Sequence, residues 1–242
     1  MRNYMKVLAI GLMLAVFGGA TGNAQTYTTV NAGRDSSLSQ SDATYLTARN
    51  QTYGSLTATN NIGQFIGFGT SRTFMFFPLT SLTGATVLAC SLYADGLTDY
   101  STTDFTIDVL AAPTSKSVYT TADFINFDGW QTSGTYTGTI LSNTWNSSSF
   151  SADWNVFVFN AAGNTTVQTA CGDTLWIVMM SHEDYVASAP VDDEYIRIST
   201  NESATRPYLA FTYTTGWSGT IGNLTNPAAV GSYSKSEIKE IR

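Results

Sequence analysis

Charge is what this chain has least of. Only 12% of its 242 residues are Asp, Glu, Lys or Arg, with 11 cations against 18 acids. So few cations argue against a nucleic-acid partner, because phosphates must be neutralised by Lys and Arg. They argue equally against attraction to anionic lipid. Histidine occurs once, at His182, and cysteine twice, at Cys90 and Cys171. Zinc takes three or four His, Cys or carboxylate ligands at suitable spacing, and this set does not supply them. There is no G-x-S-x-G elbow, P-loop or G-x-G-x-x-G stretch. His182, in Ser181-His182-Glu183-Asp184-Tyr185, has no marked nucleophile to activate and reads as a solvated strand-end histidine. The chain therefore reads as a non-enzyme. A carboxylate pair for glycoside cleavage would leave no mark in the sequence, since the separation of the two acids is a property of the fold. The cysteines are either a disulfide or two structural thiols.

What is present begins with a leader. Arg2 and Lys6 precede an uncharged apolar run from Val7 to about Ala20, and small residues lead to Gly22-Asn23-Ala24. This is the pattern of a secretory signal peptide at 1–24, cleaved before Gln25. The run is short for a membrane span, which needs about 20 apolar residues. The expected location is secreted, extracellular or at the cell surface, with no membrane span after cleavage. Loss of Arg2 and Lys6 leaves nine cations against eighteen acids, a net charge of −9. Such acidity suits Ca²⁺, which takes oxygen ligands.

Apolar residues make up 43% of the chain, too many for disorder. The helical period is almost absent beyond the leader. Short β-branched and aromatic runs are separated by Gly, Asn, Asp, Ser and Thr clusters. Strands are expected near 42–48, 62–69, 72–79, 86–95, 104–112, 154–160, 174–181, 194–200 and 207–214. One short helix is expected at 160–170. Phe74 to Phe77 is apolar on both faces, which marks 72–79 as central. Short strands at regular spacing predict an all-β fold, a jelly-roll β-sandwich of two antiparallel sheets over 25–214. Residues 215–242 carry isolated apolar residues in a Gly/Asn/Ser background and read as a C-terminal tail or linker, open to self-association.

Four segments then align with one pattern. They are Asp42-Ala43-Thr44-Tyr45 with Asn50 to Gly54; Arg72-Thr73-Phe74-Met75-Phe76-Phe77-Pro78-Leu79; Thr86 to Tyr93; and Ser199 to Glu202 with Arg206 to Tyr213. In this order they resemble the DNRLRE-type secreted jelly-roll domain, a carbohydrate-binding-module-like family found beside polysaccharide-degrading enzymes and in surface proteins. The chain departs from it at Phe77-Pro78, where the family has Phe-Asp, and in its middle segment. The resemblance implies a non-catalytic domain that binds polysaccharide or a cell-surface glycan, or mediates adhesion. The alternatives are a structural subunit of an extracellular fibre, envelope or phage-like particle, and a polysaccharide hydrolase or lyase.

For sugar binding, the candidate stacking residues are Trp130, Tyr136, Trp145, Trp154 and Tyr185, each set among small polar or acidic neighbours. Each could instead be a buried anchor for its loop. For structural Ca²⁺, Glu183-Asp184 and Asp192-Asp193-Glu194 flank one loop, and Asp42 with Glu202 forms a second candidate. A charged, solvated turn is the simpler account of the first cluster. A salt bridge from Asp42 or Glu202 to Arg72 would explain the second.

Overall fold

Alternating and continuous apolar runs carry nearly half of the described residues into strands, and all the described pairings are antiparallel. The computed structural model describes residues 25–112, 119–215, 220–221 and 224–225. The leader at 1–24 and nearly all of the 215–242 tail lie outside the described residues. The unit Gln25–Thr215 contains β1 (Thr26–Asn31), β2 (Arg34–Ser41), α1 (Tyr45–Arg49), β3 (Ser55–Thr57), β4 (Asn60–Phe65) and β5 (Gly69–Pro78). It continues through β6 (Ala85–Asp99), β7 (Thr106–Ala111), β8 (Trp145–Asn146), β9 (Trp154–Val158) and α2 (Ala161–Ala170). It ends with β10 (Thr174–Ser181), α3 (His182–Tyr185), β11 (Glu194–Ile198) and β12 (Tyr208–Thr215). Residues Thr220–Ile221 pair with Leu224–Thr225 in a second unit. Among the described residues no helix is long and apolar enough to cross a membrane.

The twelve strands of the main unit form one curled sheet, in the order β1-β12-β6-β11-β4-β5-β10-β7-β8. β2 pairs with β3 and β5, and β9 pairs with β6. The long strand β6 joins two arms. Its first part pairs with β12 and β9, and its last residues pair with β11. The part paired with β11 begins at Gly96, opposite Ile198, where a Cβ would collide with the Ser151 carbonyl oxygen, so only glycine permits this crossing. β1 lies on β12 with Thr26 opposite Tyr213.

The curl encloses one core fed by both arms. Ile62, Met75, Phe77, Ile177 and Ile196 from one arm meet Leu92, Phe157, Leu209 and Phe211 from the other. β5 is central, between β4 and β10, and both its faces are covered. Met75 and Phe77 enter the shared core. Phe74 enters a second cluster with Leu38, Phe124, Tyr136, Trp176 and Val178. The doubly apolar reading of this strand therefore holds.

One expected strand is a helix. Residues 42–48 have strand-like composition, yet Tyr45–Arg49 is helical. Thr44 caps it by accepting a hydrogen bond from the Thr47 N–H at 3.2 Å. Tyr45, Ala48 and Arg49, spaced three and four apart, all face inward. The expected strand at 62–69 stops at Phe65 and turns through Gly67 and Phe68, both with positive φ. The helix at 160–170 is present as α2, capped by Asn160, whose side chain accepts from the Gly163 N–H. Strands β1, β2, β3 and β8 were not expected. Cys90 and Cys171 are free thiols, with Cys90 buried.

Candidate functional site: an aromatic outer face

On β12, β6, β9 and β1 the alternation separates two chemistries. The inward residues are Leu209 and Phe211, Cys90, Leu92 and Ala94, and Phe157. The outward residues include Tyr208, Tyr93, Trp154 and Tyr27. Register brings these together: Tyr208 pairs with Tyr93, Asp95 with Trp154, Tyr93 with Val156, and Tyr27 with Thr212. Tyr93 and Tyr208 stack with ring centroids 4.8 Å apart and planes 6° from parallel. Trp154 meets Tyr208 edge-on at 5.0 Å. Tyr27 is 66% exposed. The Tyr208 phenol is held above its ordinary pKa by partial burial and then by Tyr27 and Tyr93, which places three phenols within electrostatic reach. Around them lie Ser91, Thr29, Asn31 and Asp95, with Thr205 bonded to Asp95. An aromatic face bears a negative quadrupole and an apolar surface, and hydroxyls and a carboxylate border it.

The five residues expected from sequence have different fates. Trp154 belongs to this face. Trp145 is buried against Phe157, centroids 4.8 Å apart. Tyr136 is buried, and its hydroxyl accepts from Arg72 Nη2 at 2.6 Å. Half-buried Trp130 packs on the second cluster. Tyr185 donates to the Gly138 carbonyl at 2.9 Å and stacks on His182. Sequence reasoning missed Tyr27, Tyr93 and Tyr208. Their signal was present as tyrosines out of phase with Leu92 and Leu209, but only the pairing shows that they share a face.

The acidic candidates also separate. Asp184 is fully buried between two fully buried arginines. Arg72 Nε reaches its Oδ2 at 2.7 Å and Nη2 its Oδ1 at 3.0 Å, while Arg49 Nε lies 3.3 Å from Oδ1. The partner of Arg72 is thus Asp184, rather than Asp42 or Glu202. Tyr45 and Thr70 also donate to this carboxylate. The charge excess of two guanidiniums over one carboxylate is answered by carbonyls of Phe124, Arg49, Gly134 and Asp184, and by the rings of Tyr136 and Phe124. Asp42 accepts from Gln51 at 2.8 Å. Asp193 accepts from the Ile66 N–H at 2.9 Å. Asp192 lies 3.5 Å from Thr103 Oγ1. Among the described residues no three His, Cys, Asp or Glu side chains gather as a metal-holding group. Burial, with Glu183 and Asp192 nearby, raises the Glu194 pKa to about 7.

Glu202 lines a cleft of about 350 Å³ with Arg34, Asp35, Asn201, Phe76 and Tyr119. Asp35 is the second acid of that lining. Asp35 Oδ2 accepts from Asn60 Nδ2 and from the Asn201 N–H, both at 2.7 Å. Burial raises its pKa to about 6, against these two bonds and with help from Glu202. His182 Nδ1 lies 2.8 Å from Asp108 Oδ2, so the histidine is paired rather than simply solvated. Among the described residues this is its one side-chain hydrogen bond, and no nucleophile is bonded to it.

No protein-family model matches this chain, and no curated protein matches it. The resemblance to DNRLRE-type domains rests on its four motifs. In the structure these fall on α1 with its following loop, on β5, on β6, and on the approach to β12 with that strand.

Proposed function

We propose that this chain is an exported, non-catalytic jelly-roll β-sandwich that binds polysaccharide or a cell-surface glycan across the outer face of β1, β12, β6 and β9. One observation carries the reading: Trp154, Tyr208, Tyr93 and Tyr27 line up outward on a sheet whose other face is core. Pyranose rings present apolar C–H faces that stack on such rings, and the bordering hydroxyls, amide and carboxylate orient the sugar hydroxyls. In the jelly-roll reading, the β1-β12-β6-β9 arm is one sheet, the remaining strands form the other, and β6 links them.

The test is isothermal titration of the secreted protein, beginning at Gln25, against a panel of soluble neutral and acidic polysaccharides. Trp154→Ala and Tyr208→Ala should each weaken binding by about 1–2 kcal/mol, roughly 5- to 30-fold, as loss of a stacked ring does. Unchanged binding by the double variant would refute the site. Ordered polymers formed by the purified protein, disrupted by the same substitutions, would instead favour a fibre or envelope subunit.

The cleft gives the hydrolase reading its best footing. It holds Asp35, whose carboxyl burial raises to a pKa of about 6, and Glu202 on the same lining, and glycoside hydrolysis uses two carboxyls, one of them with a raised pKa. Release of reducing ends that disappears in Asp35→Asn would establish it.

A further inference from the structure

Glu183, half-buried, and Glu194, buried, bring two carboxyls together where, among the described residues, no cation forms an ion pair with either. Glu194 opens β11 and is 5% exposed. One of its oxygens is satisfied by the backbone at Val191, but Oε2 is buried without a partner. Glu183 repeats the pattern: its own backbone satisfies one oxygen, and its Oε2 is buried and unpartnered. A third buried oxygen, Oε1 of Gln64, is likewise orphaned on a fully buried side chain.

The three residues are neighbours by construction. Gln64 is the cross-strand partner of Glu194. The Gln64 amide nitrogen is already committed to Tyr45 Oη at 2.5 Å and the Ser188 carbonyl at 3.2 Å, so Oε1 must face away as an acceptor. The Ser188 N–H bonds the Glu183 carbonyl at 2.8 Å, which ties the loop between the two glutamates to the Gln64 side chain. Among the described residues neither glutamate is in an ion pair. Arg49 and Arg72 are committed to Asp184, and His182 to Asp108. All three unmatched atoms are acceptors. A buried carboxyl without a partner is stable only with a proton or a counter-charge, and three acceptors facing one place favour the cation.

We propose that Glu183, Glu194 and Gln64 hold a calcium ion that pins the 183–194 loop to β4. Ca²⁺ takes six to eight oxygens and accepts carboxylate, amide, backbone carbonyl and water together. Two carboxylates match its charge, and Gln64 Oε1 supplies a neutral ligand. With so few charged ligands the affinity falls near the roughly 10⁻⁴–10⁻³ M range of extracellular modules. This site is independent of the glycan face.

The full chain is melted with EGTA, with about 10 mM CaCl₂ and with about 10 mM MgCl₂, and Tb³⁺ luminescence is measured alongside. Calcium should raise Tm by about 2–5 °C, as a ligand present at roughly ten times its Kd does, and should displace Tb³⁺. Glu194→Gln and Glu183→Gln should each abolish both responses, and the exposed Asp173→Asn should keep them. A wild-type protein indifferent to calcium overturns the proposal. So does a Glu194→Gln protein that melts higher than wild type in EGTA while wild type ignores calcium, because the two carboxylates would then be sharing a proton. If Glu194→Gln fails to fold, the Glu183→Gln and Tb³⁺ measurements decide.

Discussion

Replacing Asp184 by Asn tests whether one carboxylate holds the second core together. The substitution keeps the shape and the capping position after Ser181 but removes the charge facing Arg49 and Arg72, neither of which has any solvent exposure. Breaking a buried ion pair by removing one partner costs about 3–5 kcal/mol. Here two guanidiniums lose their counter-ion, so the upper end, about 5 kcal/mol, is expected. A domain has only about 5–15 kcal/mol in total. Urea unfolding followed by tryptophan fluorescence should show a large drop in midpoint at unchanged slope. Asp42→Asn, at a half-buried carboxylate bonded to Gln51, is the control and should cost about 1 kcal/mol or less. A cost below about 1.5 kcal/mol for Asp184→Asn would show that the carbonyls and aromatic faces already neutralise both arginines. A second variant separates charge from packing. Arg49→Met, Arg72→Met and Asp184→Leu together should recover much of the loss, because no charge is then left buried alone. A triple variant as unstable as the single one would assign the effect to lost hydrogen bonds.

Phe77→Ala should cost about 3–5 kcal/mol in the same assay, since Phe77 has no exposure and lies in the core shared by both arms, whereas the exposed Leu88→Ala should cost little. Asp35 has a folded-state pKa of about 6 against an ordinary 3.8, so the folded form binds the proton more tightly and stability falls as pH rises between those values. Asp35→Asn should therefore stabilise the protein at pH 7.5 by about 1–2 kcal/mol, allowing for solvent screening, and change it little at pH 3.5. Equal effects at both pH values in denaturant titrations would remove Asp35 as the cause.

The strands were legible because period-two alternation survives in a single sequence. DFTIDVLAA and WNVFVFN announce β7 and β9 within about two residues by alternation, and the continuous apolar run TLWIVMMS announces β10 as a doubly covered strand. The Tyr45 helix was not legible, because Leu46, Ala48 and Arg49 favour helix while Tyr45 and Thr47 favour strand, five residues are too few to show a period, and the deciding interactions are the Thr44 cap and the burial of Arg49. The Arg72–Asp184 pair joins residues 112 apart, and no local pattern marks it. For the same reason Asp184 looked like a surface acid, and Tyr136 like a loop aromatic. Trp154 could be singled out by its polar neighbours. Tyr93 and Tyr208 could not, because their partners are each other and lie on strands distant in sequence.

Thr26 stands opposite Tyr213, so the chain enters and leaves the main unit at one point on its surface. Tension applied through the two flanks meets the β1–β12 ladder at its end and opens it one hydrogen bond at a time, like a zipper. The core and the buried arginines lie off that line of force until β1 has been stripped away. The weakest mechanical element is therefore the outermost strand, which also carries Tyr27 at the rim of the aromatic face. Stretching this protein between its ends would thin its aromatic outer face before it unfolded the rest.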